Sequence, residues 1–270
     1  EYSRNLMTVR IAEDLGLQKI LKLSKELNIY NDIPELLSVS LGSAETTLIN
    51  ITSAYASFAN GGKKVEPILI NRIQDRRGRT IFNSDKRECL GCDRFSKDLQ
   101  NLPKIRNNYK QVISEETAYQ INSILEGVVK RGTGKKLKDM KVPLAGKTGT
   151  TNNNFDAWFI GFSSNLVVGV YVGFDNPKPL GRYETGSKAA LPVFRDFIEK
   201  ALYKDDFKEF SIPEDIYFAP INYHTGQKTD FNDPKAIIES FKSKGIQKME
   251  NENFNINTSY DRMIKFRQFY

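Results

Sequence analysis

The stretch from Pro143 to Phe174 admits few folds. Three short runs of apolar and β-branched residues, Leu144 to Thr150, Ala157 to Phe162 and Leu166 to Phe174, read as strands. Ser163-Ser164-Asn165 leaves room only for a tight turn between the last two, so the segment is an antiparallel meander. Around it lie helical patterns. Leu6, Met7, Ile11 and Leu15 recur at helical spacing behind Ser3 and stop at Gly16, and a second helix runs from Leu17 to Leu27. Thr46 or Thr47 caps a third, Leu48 to Asn60, which ends at Gly61-Gly62. Ser114 caps a fourth, with Glu115 and Glu116 in its first turn where the helix dipole favours them. It carries an apolar stripe of Ala118, Ile121, Leu125 and Val128. A fifth follows Pro192, with Val193, Phe194, Phe197, Ile198 and Leu202 in helical register. The fold expected is α+β, an antiparallel sheet flanked by helices.

Between these elements, Pro67 to Phe82 reads as a hairpin turning at Gly78, and residues 84 to 112 as a polar, variable loop region. The organisation expected is one unit over residues 1–204. Residues 205–270, rich in Asp, Asn and Lys, are expected to form a tail or small appendage, partly disordered towards the end.

Composition excludes several function classes. No apolar run reaches the roughly 18 residues of a membrane-spanning helix, and no signal-type h-region is present. The net charge of +7 comes from basic residues interleaved with acids, as in Asp75-Arg76-Arg77 and Asp85-Lys86-Arg87, with Lys130-Arg131 a further basic pair. That is the pattern of a solvated surface, and without a zinc-finger or ribonucleoprotein motif it is no case for nucleic acid. Cys89 and Cys92 with the single His224 cannot complete a four-ligand metal site, so no metal is expected. The cysteines read as a local staple or free thiols, a disulfide fitting an oxidising compartment.

The chemistry gathers in two motifs. Serine enzymes that react with penicillin carry S-x-x-K, an S-x-N-type triplet and K-T-G in that order. Ser3-Arg4-Asn5 heads the first helix, and Lys147-Thr148-Gly149 lies on the first strand of the meander. Read without context, Ser3 is a helix N-cap and Lys147 a cation on a glycine-rich strand. Two other patterns fail. A phosphate-binding loop ending at Gly146-Lys147-Thr148 needs glycine where Lys141 stands, and Thr133 with Lys136 has nucleophile-to-lysine spacing but sits in a glycine-broken helix end. Trp158 reads as core, with Asp156 supporting a loop. His224 has no organised nucleophile to serve.

The text around the motifs resembles the transpeptidase domain of class A penicillin-binding proteins of the 1A type. The similarity lies in Ser3-Arg-Asn-Leu-Met-Thr-Val-Arg10, Ser40 to Thr47, Ala54 to Gly62, Gly127 to Thr133, Ala145 to Asn152, Asp156 to Phe162 and Val172 to Asn176. The resemblance implies the penicillin-recognising, β-lactamase-like fold. It implies Ser3 as the hydroxyl relay and Lys147 as the cation of a D-Ala-D-Ala transpeptidase. Asn5, Thr148, Gly149 and Thr150 would bind substrate, with the Thr150 N–H forming half of the oxyanion hole. No cofactor is implied; the ligands would be peptidoglycan stem peptides and β-lactams. The nucleophile is absent, because no serine here has a lysine three positions on: Ser3 is followed by Leu6, Ser24 by Leu27 and Ser84 by Arg87. The chain opens on Glu1 and not on Met, and is expected to be an N-terminally incomplete fragment. The nucleophilic serine, a glycosyltransferase domain and an inner-membrane anchor facing the periplasm would all lie upstream. The isolated chain is expected to be inactive and to depend on its missing half. Two other readings stay open: a split or decayed pseudoenzyme that binds wall peptide or a partner, and a β-lactamase-like β-lactam sensor.

Overall fold

The computed structural model describes residues 1–90, 92, 103–203 and 208–243. Helix α1 spans Asn5–Leu15 and α2 Leu17–Glu26, divided at Gly16, whose φ of 83° suits a residue without a side chain. Helix α3, Leu48–Ala59, is capped by Thr47, whose hydroxyl accepts from the Asn50 N–H at 3.2 Å. Two small hairpins follow. Strands β1 (Arg72–Gln74) and β2 (Thr80–Asn83) form the first, and β3 (Cys89–Leu90) with β4 (Lys104–Ile105) the second. The second begins at a Cys89–Cys92 disulfide. Helix α4, Glu115–Lys130, starts at the Ser114 cap, where Thr117 N–H donates to the serine hydroxyl.

The meander forms as its sequence dictates. Strands β5 (Ala145–Thr150), β6 (Ala157–Phe162) and β7 (Val167–Val172) pair antiparallel in that order, with β6 in the middle. Among the described residues β5 is hydrogen-bonded on one side only. Alternation then sends residues to two faces. Ala157, Phe159, Val170 and Val172 share one with helix α5 (Leu191–Ala201), whose Phe194 and Ile198 are fully buried there with Leu137, Val142 and Leu144. Ala145 and Phe162 share the other with Tyr119, Leu125 and Val128 of α4. The sheet is thus sandwiched between helices, as expected.

After α5, strands β8 (Ile216–Asn222) and β9 (Ala236–Lys242) pair as an antiparallel hairpin. It docks on α4, since Phe210, Ile216 and Phe218 join the core beside Tyr119 and Phe162. Gln120 Nε2 donates to the Ser240 carbonyl at 2.9 Å, and Lys242 Nζ to Thr117 Oγ1 at 2.6 Å. The disorder expected near the chain's end lies outside the described residues. On the opposite side, α1 buries only Ala12, while Leu6, Met7, Ile11 and Leu15 stand half or more exposed. The stripe that the sequence presents as a core face is therefore open among the described residues.

Candidate active site

The site is built where β5 passes the head of α1. Lys147 lies in the middle of β5, and its Nζ donates to Ser3 Oγ at 2.6 Å and to the Thr148 carbonyl at 2.7 Å. Burial pushes the Lys147 ammonium below the usual lysine range. Ser3 has a φ of 53°, uncommon for a residue with a side chain, and Arg4 and not Ser3 takes the N-cap position. The plain capping role therefore does not apply, and the Ser3 hydroxyl is left to the lysine.

Ser3 is held there by what precedes it. The Glu1 carboxylate receives the Arg131 guanidinium in two hydrogen bonds, at 2.9 and 2.5 Å, and Tyr2 OH donates to the Arg131 carbonyl at 3.0 Å. Arg131 also donates to Glu239 of β9 at 2.8 Å. Desolvation raises the Glu239 carboxyl above its usual range although the guanidinium opposes this. Gly132 allows the approach, since a Cβ there would lie 2.8 Å from the Glu1 carbonyl. Charges that read as a solvated surface in sequence thus tie the start of α1, the end of α4 and β9 together.

The other predicted residues take distinct places. Thr148 Oγ1 lies 2.8 Å from Thr133 Oγ1, so Thr133, set aside as a nucleophile, borders the site as a hydroxyl partner. Lys136 points elsewhere, donating to the Ser187 carbonyl at 3.2 Å, and does not serve Thr133. Thr150 Oγ1 accepts from the Gly186 N–H at 3.0 Å. Gly149 lies against Trp158, whose Cβ would be 3.0 Å from a Cβ added at the glycine. Asn5 is exposed at the first turn of α1. Trp158 corrects the expectation of a core residue. It is half-buried and stacks on Tyr171 with ring centroids 4.6 Å apart: Ile160 and Phe162 fill the interior of the same face, and Trp158 stands at its open end beside the exposed Tyr171. Asp156 does support the loop, its N–H donating to Thr151 Oγ1 at 2.8 Å. His224 lies in the turn after β8, far in sequence from Ser3. Among the described residues no group of His, Cys, Asp or Glu could hold a metal ion.

An antiparallel sheet between helices, with a lysine on a strand that pairs on one side only among the described residues and is bonded to a serine at a helix head, is the architecture of the penicillin-recognising fold class. The chain belongs to the family described as penicillin binding protein transpeptidase domain, whose profile matches residues 1–199. It is 43% identical over 256 residues to penicillin-binding protein 1A of Rickettsia prowazekii, covering 93% of this chain and 32% of that protein. It is 31% identical to penicillin-binding protein 1A of Pseudomonas aeruginosa, covering 93% of this chain and 34% of the relative. The chain therefore spans about a third of the length of these relatives. Among solved structures, penicillin-binding protein 1A from Haemophilus influenzae superposes with a TM-score of 0.74 at 29% identity, over 90% of this chain and 39% of that one. The Mycobacterium tuberculosis penicillin-binding protein PonA1, at 21% identity and a TM-score of 0.61 over 74% of this chain and 53% of that one, shares the fold.

Proposed function

We propose that this chain supplies the relay and substrate-binding half of a peptidoglycan D,D-transpeptidase, and that the nucleophilic serine comes from another segment of the full-length protein. The observation that carries this is the hydrogen bond from Lys147 Nζ to Ser3 Oγ on strand β5, which is paired on one side only among the described residues. A donor stem peptide ending in D-Ala-D-Ala adds to that edge as a further strand. The outside serine attacks the carbonyl of the penultimate D-alanine, and an ester bond forms as the peptide bond breaks. D-alanine leaves with a proton passed through Ser3. An amine of a neighbouring stem then attacks the ester, the cross-link forms and the serine is released. Lys147 stabilises the ionised relay and the donor's terminal carboxylate through a charge already in place. Thr148 and Thr150 offer hydroxyls to that carboxylate, and Asn5 an amide to the donor backbone. β-Lactams acylate the same serine.

Three further observations support this reading. No serine of the chain has the S-x-x-K spacing, and the exposed stripe of α1 offers an apolar face to the segment that would bring it. The Cys89–Cys92 disulfide suits the periplasmic side of an inner membrane, an oxidising setting. No helix among the described residues is long and apolar enough to cross a membrane, so an anchor would belong to another part of the protein. The test is labelling with a fluorescent penicillin, comparing this 270-residue chain with the full-length product on a denaturing gel. Label on the full-length product alone, lost with Lys147→Ala or Ser3→Ala, is the expected result. Stable label on the 270-residue chain overturns the assignment of the nucleophile, and label on neither leaves a pseudoenzyme.

A further inference from the structure

The sheet face that carries Lys147 continues beyond it. Lys147, Ile160 and Gly169 stand in register across β5, β6 and β7, and two residues further along so do Gly149, Trp158 and Tyr171. Partners in register share a face, so the indole and phenol lie on the lysine's side. Gly149 has no side chain there, and the indole leans into the space, with Cβ and Cγ 3.0 and 3.6 Å from where a glycine Cβ would be. Helix α3 covers this face at Gly169, through Leu48 and Thr52. The aromatic end stays open, with Tyr171 41% exposed.

Two carboxylates border the rings. Tyr171 OH donates to Asp156 Oδ1 at 2.8 Å, and a Cβ on Gly173 would fall 2.8 Å from that same oxygen. The Asp156 hydrogen bond, then burial and the charges of Asp156 and of Asp175, exposed just past β7, hold the phenol above the usual tyrosine range. The cation nearest in sequence is used elsewhere: Lys178 Nζ lies over the Phe174 ring, 4.1 Å from its centroid. Electron-rich rings beside an acceptor-only carboxylate are the chemistry that recognises an organic ammonium.

We propose that Trp158, Tyr171 and Asp156, with Asp175 adding charge, form a subsite for the primary ammonium group on the acyl donor's stem peptide. The inference rests on the transpeptidase reading. Donor and acceptor stems are copies of one another in the same polymer, so a stem that offers an amine as acceptor also carries one as donor. With the terminal carboxylate at Lys147, Thr148 and Thr150 and the scissile carbonyl at the Thr150 N–H, the residue before the penultimate D-alanine lies one strand step, roughly 3.4 Å, past Thr150. That brings the amine-bearing side chain level with Thr151 and Asp156, at the end of the face where Trp158 and Tyr171 stand. The subsite would select donors that still hold a free amine and discriminate against stems whose amine is already used in a cross-link.

The test uses the full-length protein and three peptides ending in D-Ala-D-Ala, with lysine, Nε-acetyl-lysine or norleucine as the preceding residue. Each competes with fluorescent penicillin, and the readout is the ratio of protection within one protein, so differences in the folded fraction cancel. The lysine peptide is expected to protect about tenfold better than either neutral one. Asp156→Asn, which keeps an acceptor for Tyr171, and Trp158→Leu bring the ratio towards one; Asp175→Asn on the exposed loop lowers it less. Equal protection by the three peptides, or a ratio unchanged in both Asp156→Asn and Trp158→Leu, overturns the subsite while penicillin labelling leaves the transpeptidase reading standing. A full-length protein that takes no label overturns that reading and the subsite with it.

Discussion

Replacing Arg131 by methionine removes one guanidinium and strands two carboxylates. The Arg131 side chain is 27% exposed, against 14% for Glu1 and 16% for Glu239, so neither acid regains full hydration when its partner goes. Removing one member of a buried pair costs about 3–5 kcal/mol, and partial exposure places this site at the lower end, about 3 kcal/mol. For a domain of this size that is a fall in Tm of about 6–12 °C. Glu239→Gln behaves differently. Its carboxyl is held above the usual range by desolvation, so the folded state binds its proton more tightly than the unfolded chain does. The resulting penalty is absent below about pH 4.5 and grows as pH rises through the raised folded value. At neutral pH the amide avoids that penalty and leaves the Glu1 bonds intact, so its cost is about 1 kcal/mol or less. In Arg131→Met/Glu239→Gln one stranded charge is gone, and part of the loss returns. Urea unfolding of the full-length protein at pH 7 measures these terms, and the rate of penicillin acylation reports on Ser3, which Glu1 and Tyr2 position. A loss under about 1 kcal/mol for Arg131→Met, or a larger loss for Glu239→Gln, refutes the reasoning.

Lys147→Met is expected to slow penicillin acylation about 100- to 1,000-fold in stopped-flow measurements. The Lys147 ammonium is lowered by burial, so the unfolded chain binds its proton more tightly; this lysine costs stability at neutral pH, and the cost fades as pH rises from the lowered value to 10.5. Acylation that depends on the cation should be lost as pH rises, with the loss setting in at a pH lower than 10.5, and in chemical denaturation Lys147→Met should be no less stable than wild type at pH 7. Gly161→Ala puts a Cβ 2.5 Å from Phe194 Cζ in the packed core and should cost about 1–3 kcal/mol by urea unfolding. Cys89→Ser/Cys92→Ser opens only a loop of sequence separation 3 in an exposed hairpin, worth about 2 kcal/mol or less in chain entropy, so Tm should fall by no more than about 7 °C by calorimetry.

Much of this arrangement is written locally. The caps at Thr47 and Ser114 and the break at Gly16 place helix ends within a residue or two, because each satisfies backbone groups with a neighbour in sequence. The meander is legible for the same reason. What escapes a local reading is set by residues far apart in the chain. Trp158 follows the same alternation as its neighbours, but a run apolar at every position does not say how far along each face the covering helices reach. Arg131 and Glu239 sit 108 positions apart, and nothing in either neighbourhood separates an internal tie from a solvated charge. Strand β8 is obscured by Pro220, which a sequence reading demotes, yet β8 pairs in register with β9 all the same. Ser3 and Lys147, 144 residues apart, can be associated from sequence only through the motifs they belong to.

The C-terminal hairpin also sets a timetable for synthesis. Its ties to α4 cross separations of 120 and 125 residues, and the Phe218 ring packs on Tyr119 in the core. As the chain leaves a ribosome, α4 and the meander emerge first and must wait, with one core flank bare, until β9 has been made. Contacts this distant in sequence form slowly. The nascent protein therefore passes through a window in which a chaperone or translocation factor has an exposed surface to hold, and a message truncated before the codon for Lys242 would extend that window for the life of the chain.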